Sequence, residues 1–125
     1  MAGTIHIPWY ATGFRGDKLE AALADVTPTA LRYGATEWSL HRGLDDRYKL
    51  LQIVHFEDKL DFQRWWDGPE MTELRAIASS WYQVPLLYSP NELVGAGRVG
   101  NADGNGNGGA TTPLPEPEPA PRAAA

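Results

Sequence analysis

Cysteine is absent from the chain, which excludes a disulfide scaffold, a thiolate metal centre and a cysteine nucleophile. Positive charge is scarce: 11 Lys and Arg stand against 16 Asp and Glu, a net charge of −5, so no nucleic-acid partner is expected, because neutralising phosphates takes clustered basic residues. No apolar run approaches the roughly 20 residues that span a bilayer, and Met1–His6 has neither the basic nor the apolar stretch of a secretory leader. A cytoplasmic protein with no membrane partner is expected. Glycine-rich phosphate loops and a Ser-His-Asp arrangement are also missing. Gly95-Ala96-Gly97 follows the last expected strand but opens no helix, so it does not make a dinucleotide fingerprint.

What is present is unevenly spread over the 125 residues, a length that suits one domain. All 13 aromatics lie between Trp9 and Tyr88. The last 28 residues, from Arg98, hold 5 Gly, 5 Pro, 6 Ala and 3 Asn, with Val99 and Leu114 as the only large apolar side chains. Such a segment cannot offset the entropy of ordering itself. Residues 3–97 are therefore expected to fold, and residues 98–125 to form a disordered tail. Within that tail, 101–109 reads as a flexible linker and 113–121 as extended polyproline II. The tail is a solvated spacer or a tether, and Leu114-Pro115-Glu116-Pro117 has the look of a docking peptide for another protein.

Periodicity orders the folded part. Thr4–Ala11 alternates as a strand, with Pro8 requiring a bulge or an unpaired position. Asp17-Lys18-Leu19-Glu20 has the spacing of a capping box, opening a helix with the stripe Leu19, Ala22, Leu23 and Val26. Pro28 breaks that helix, Thr27 is placed to cap a second turn, and Gly34 supplies the stop. Thr36–Arg42 and Tyr48–Glu57 are strands either side of the turn Gly43–Asp46. Asp58 caps a second helix carrying Phe62, Trp65 and Trp66; Asp67-Gly68-Pro69-Glu70 restarts it, with Met71, Leu74, Ile77 and Ala78 continuing the stripe. Tyr82–Tyr88 is expected as the fourth strand, with Pro85 at an edge or bulge. The order β-α-β-β-α-β implies an α+β, ferredoxin-like antiparallel sheet with both helices on one face. The third strand is apolar on both faces, Leu50 and Val54 on one and Leu51 and Ile53 on the other, so the bare face is expected to pack against a second copy of the chain.

The segment LLQIVHFEDKLDFQRWWDGPEMTELRA, Leu50 to Ala76, resembles the antibiotic-biosynthesis monooxygenase family, the dimeric α/β-barrel group. The resemblance rests on the strand ending in aromatic-Glu-Asp, Phe62, the pair Trp65-Trp66, the turn Gly68-Pro69 and Leu74, and extends over roughly residues 4–94. It implies the same fold and a homodimer. Some members oxidise polyphenolic molecules with O₂ and neither metal nor flavin; relatives bind or degrade haem. The haem branch carries a Trp where Trp65 stands, but its ligating His falls at Arg75 or Ala76 and the Asn of its first strand near Trp9. Arg cannot give up a proton to ligate iron, and no cofactor is expected.

Independently of the resemblance, the less apolar strand faces carry His6, Tyr10, Glu37, Ser39, His41 and His55, opposite Trp9, Trp38 and Phe56. An antiparallel first and third strand brings His6 near His55. Counting back from the turn puts Glu37 opposite Ile53, diagonal to His55. His6, His55 and Glu37 are the candidate catalytic group, a neutral imidazole acting as general base and a carboxylate orienting it. Tyr10, Trp65, Trp66 and Tyr82 are the candidate aromatic wall for a small aromatic ligand. The alternatives are plain: histidines hydrogen-bonded in an interface, tryptophans at core spacing, Arg64 and Arg75 as solvated helix charges, and a two-His-one-carboxylate metal site. Two functions follow: a cofactor-independent monooxygenase acting on an aromatic or quinol-type molecule in a dimer cavity, or a non-catalytic dimeric binding or assembly module tethered by its tail.

Overall fold

The computed structural model describes residues 3–100. The elements run β1 (Gly3–Tyr10), α1 (Gly16–Val26), a 3₁₀ helix (Thr27–Tyr33), β2 (Ala35–Arg42), β3 (Lys49–Phe56), α2 (Lys59–Trp66), α3 (Pro69–Ile77) and β4 (Ser89–Asn91). The sheet order is β2-β3-β1-β4 with every pairing antiparallel, the α+β ferredoxin-like arrangement expected from the sequence. The chain divides into two units between Leu93 and Val94. The described part of the second, residues 94–100, contains no helix or strand. The expected linker and polyproline segment, with the docking peptide, lie outside the described residues.

Alternation decides which side of the sheet the helices cover. Ile5, Ile7 and Trp9 of β1 and Leu50, Val54 and Phe56 of β3 are buried against Leu19, Leu23, Phe62, Trp65 and Met71. Burying each aliphatic side chain contributes about 1.5–3 kcal/mol. Two threonines of the 3₁₀ helix make this core specific. The Trp9 indole N–H donates to Gln52 Oε1 (3.1 Å), Gln52 Nε2 donates to Thr27 Oγ1 (2.8 Å), and the Thr27 hydroxyl donates to the Leu23 carbonyl (2.5 Å). In parallel, the Trp65 indole donates to Thr29 Oγ1 (3.0 Å), whose hydroxyl donates to the Val26 carbonyl (2.6 Å). Both chains end on carbonyls of the last turn of α1, where the Leu23 carbonyl also accepts the backbone N–H of Thr27. Gln52, buried on the apolar face, thus has its partners.

Several local expectations are met. Asp58 caps α2, accepting the Leu60 N–H at 2.9 Å, and Gly34 stops the 3₁₀ helix at φ 108°, where only glycine is unstrained. Pro8 lies past the end of β4, which pairs with Thr4–His6 alone, so its missing N–H breaks no ladder.

Others are corrected. The capping box does not form: Arg15 is the N-cap of α1 without a side-chain bond. Asp17 and Glu20 instead accept from Arg42 Nη1 at 2.7 and 2.9 Å, because a guanidinium from β2 outcompetes a cap in charge. Thr27 likewise bonds back to α1 instead of capping forward. The fourth strand is Ser89–Asn91, not Tyr82–Tyr88. Tyr82 bridges Ala11 and the Gln83 N–H donates to the Tyr10 carbonyl (2.8 Å), but the chain then leaves β1 across Pro85, which has no N–H to contribute, and rejoins it only at Ser89. Arg75 is not a free surface charge: its guanidinium lies 4.5 Å from the Trp66 ring centroid and donates to the Trp66 carbonyl at 2.8 Å.

Candidate functional site on the open sheet face

Strand register turns the uncovered face into cross-sheet rows. The first is Glu37 on β2, His55 on β3, Thr4 on β1 and Asn91 on β4, each directly opposite the next. One row along stand Ser39, Ile53, His6 and Ser89, and the row after holds His41, Leu51 and Pro8. Lys49 and Tyr10 close the series at the hairpin end. Rows on one face are about 6.6–6.8 Å apart, so His6 is diagonal to His55, as expected from the antiparallel pairing. Thr4, His6, Leu51, Ile53 and His55 are half-buried, while Glu37 and Tyr10 are exposed.

Glu37 sits closer to His55 than the turn chemistry suggested. It faces His55 across the strands instead of Ile53, because the β2–β3 loop runs on to Tyr48: Gly43 N–H donates to the Lys49 carbonyl (2.9 Å), and Asp46 folds the loop by accepting the Tyr48 N–H (3.0 Å). Thr36 bulges out where the register shifts between Ala35 and Glu37. The His55 ring is held by other groups. Its Nδ1 lies 3.0 Å from Thr4 Oγ1 and its Nε2 3.3 Å from Glu57 Oε2. Sequence reasoning missed both partners. Glu57 carries the signal of period two, being two residues from His55 and on its face; Thr4 becomes visible only with the β1–β3 register.

Of the four expected wall residues, Tyr10 alone lies on this face. Its ring is 6.2 Å from that of Tyr48, and its hydroxyl donates to Asp46 Oδ2 at 2.6 Å. That bond holds the Asp46 carboxyl below its ordinary range and pushes the Tyr10 phenol up. Trp65 and Trp66 are buried among Phe62, Phe56 and Tyr88 on the helix side, and Tyr82 packs edge-on to Trp9 at 4.9 Å, also on that side. The structure does not bring these three together with the histidines. His41 is exposed and 3.0 Å from Ser39 Oγ.

An open groove of about 360 Å³ borders the His6 row, lined by Pro8, Tyr10, His41, Lys49 and Leu51 among others. Its lining is mostly apolar. Among the described residues, no three of His, Asp and Glu are grouped so as to hold a metal ion. What the face offers chemically is imidazole beside half-buried aliphatic surface, a setting in which a nitrogen lone pair can accept a proton from a weak acid.

The fold belongs to a recognised structural class. No protein-family model matches the chain, and neither does any curated protein. Solved structures do match, and they share the fold of antibiotic biosynthesis monooxygenases. One titled a putative antibiotic biosynthesis monooxygenase, from Nitrosomonas europaea, superposes with a TM-score of 0.68 at 11% identity, covering 77% of this chain and 94% of its own. SnoaB from Streptomyces nogalater, a cofactor-independent oxygenase solved as a point mutant, gives 0.65 at 14% identity over 76% and 95%. A protein of unknown function from Nitrosomonas europaea gives 0.66 at 20% identity over 78% and 93%. Among the described residues, no helix is long and apolar enough to cross a membrane.

Proposed function

We propose that two copies of the chain pack their open faces together, and that the enclosed space is where a polyphenolic or quinol-type aromatic molecule is oxidised by O₂ in the cytoplasm. A histidine of the His6–His55 pair removes a proton from the substrate. The electron-rich anion then reacts with O₂, and an activated CH₂ becomes C=O with water as the second product. This balance needs no external reductant. Glu37, opposite His55, biases the charge of the pair, and Tyr10 supplies an aromatic side to the cavity. The observation that carries the reading is the composition of the open face: Leu51 and Ile53, half-buried and apolar, are interleaved with two half-buried histidines. Solvent-facing strands are ordinarily polar throughout. The fold likeness to a cofactor-independent oxygenase supports the reading.

The test is oxygen uptake by the purified, metal-stripped protein with a panel of anthrones and other polyphenols that carry an activated CH₂. His6→Ala and His55→Ala, examined singly and together, should lower turnover without unfolding the protein. Full turnover in the double variant would remove histidine from the mechanism.

A second reading, a dimeric binding or assembly module, is favoured by the helix side. Trp9 and Trp65 are fully buried and hydrogen-bonded there, so those aromatics fill a core and line no pocket. Failure of every substrate in the panel, together with capture of a partner through the proline-rich tail, would favour it.

A further inference from the structure

The two histidines of the open face differ in what their ring nitrogens already do. Both nitrogens of His55 are committed, Nδ1 to Thr4 at 3.0 Å and Nε2 to Glu57 at 3.3 Å, and the side chain is only 11% exposed. These partners allow one neutral arrangement. An ionised carboxylate only accepts, so Nε2 carries the hydrogen and donates to Glu57; Nδ1 is then the acceptor and takes the Thr4 O–H. The lone pair that a base would use is thereby occupied. His6 makes no side-chain hydrogen bond among the described residues. It stands between Ile53 and Ser89 in its row and is flanked along β1 by Pro8, which lines the groove.

Resting on the oxygenase reading, we propose that His6 is the base and that His55 is a positioning residue, locked by Thr4 and Glu57 as a neutral Nε2–H imidazole. A ring nitrogen of His6 takes the substrate's proton directly, leaving imidazolium and the substrate anion. His55 fixes the spacing of β1 and β3 beside it and presents the polar wall of the site, without exchanging a proton with the substrate.

The experiment is ring-nitrogen NMR of the full chain labelled with ¹⁵N-histidine, at about pH 8.5, two units above the ordinary imidazole value. Resonances are assigned through His6→Gln, His41→Gln and His55→Gln. His55 is expected as a single Nε2–H tautomer and His6 as an average of both, with Thr4→Val releasing His55 to average too. An averaging His55 in the wild type, or a locked His6, overturns the proposal. Carbethoxylation of the wild type by diethyl pyrocarbonate needs no variant to fold: His6 should react at least about tenfold faster than His55, and equal rates overturn the assignment. With a substrate that passes the uptake test, His6→Gln should lower kcat roughly 10²–10⁴-fold with KM changed far less. If Thr4→Val costs as much, the proton leaves through Thr4 into His55 and the roles are reversed. Absence of wild-type turnover with every substrate overturns the oxygenase reading and the base with it, while the ring measurements separately decide which histidine is free.

Discussion

The two faces of one sheet obey different rules. On the helix side, side chains two residues apart (Leu50, Gln52, Val54, Phe56) are all buried, and the polar one among them is hydrogen-bonded to Trp9 and Thr27. On the open side, the alternate positions (Lys49, Leu51, Ile53, His55) are exposed or half-buried, and apolar and titratable groups are mixed. A core tolerates polarity only where each group has a partner. The open face keeps imidazole and half-buried aliphatic surface side by side. The contrast within β3 locates the candidate site better than any single residue type does: Trp9, Trp65 and Trp66, the most conspicuous residues of the sequence, belong to the core, and the less conspicuous histidines belong to the open face.

Substitutions at neighbouring positions sharpen that contrast. Val54→Asp should have the largest effect. It puts an unpaired carboxylate into the helix-side core, and a loss above about 4 kcal/mol is expected, read as an unfolded chain by circular dichroism. Trp65→Ala should cost about 3–5 kcal/mol in urea unfolding through the cavity it leaves. Gln52→Leu keeps the volume but strands the Trp9 indole N–H, for about 1–3 kcal/mol. Ile53→Asp, one residue from Val54 but on the open side, should cost the isolated chain about 1 kcal/mol or less, since surface changes are small. In sedimentation it should convert a dimer to a monomer. If Ile53→Asp unfolds the chain as Val54→Asp does, the distinction between the faces collapses.

The smallest effect concerns Tyr10 and Asp46. Asp46 titrates below its ordinary value because it accepts the Tyr10 hydroxyl, so this bond's contribution is present above the ordinary carboxylate range, near pH 4, and is lost as pH falls through the lowered value. Tyr10 is shifted upward by the same bond, so its contribution is present below about pH 10 and is lost as pH rises through the raised value. Tyr10→Phe should therefore lower the melting temperature slightly between those limits, and the difference from wild type should shrink at both extremes.

The parts of this molecule that could be read from sequence are those fixed by period. Strand faces, the α1 stripe of Leu19, Leu23 and Val26, and the helix start at Asp58 follow from alternation and local capping. What resisted reading depended on partners distant in the chain. Asp17 has the spacing of a cap residue, yet Arg42 draws it away. Glu37 faces His55, two residues along β3 from the Ile53 that turn spacing alone predicts, because loop length after Gly43 depends on how Asp46 folds back on Tyr48, and no local pattern encodes that. Tyr82 looked like strand and wall together; Pro85 and the edge-on contact with Trp9 put it on the core side. In the candidate site, His6, His55 and Glu37 were legible as one face. Thr4 was not, because a threonine in a strand carries no signal until the strand opposite it is known.

The central claim is that the open face is made to be covered by a second copy. Native mass spectrometry of the full chain tests it most directly. The account predicts a species of twice 13.7 kDa at micromolar concentration, reduced to a single chain by Ile53→Asp. A wild-type protein that remains one chain at that concentration would contradict it.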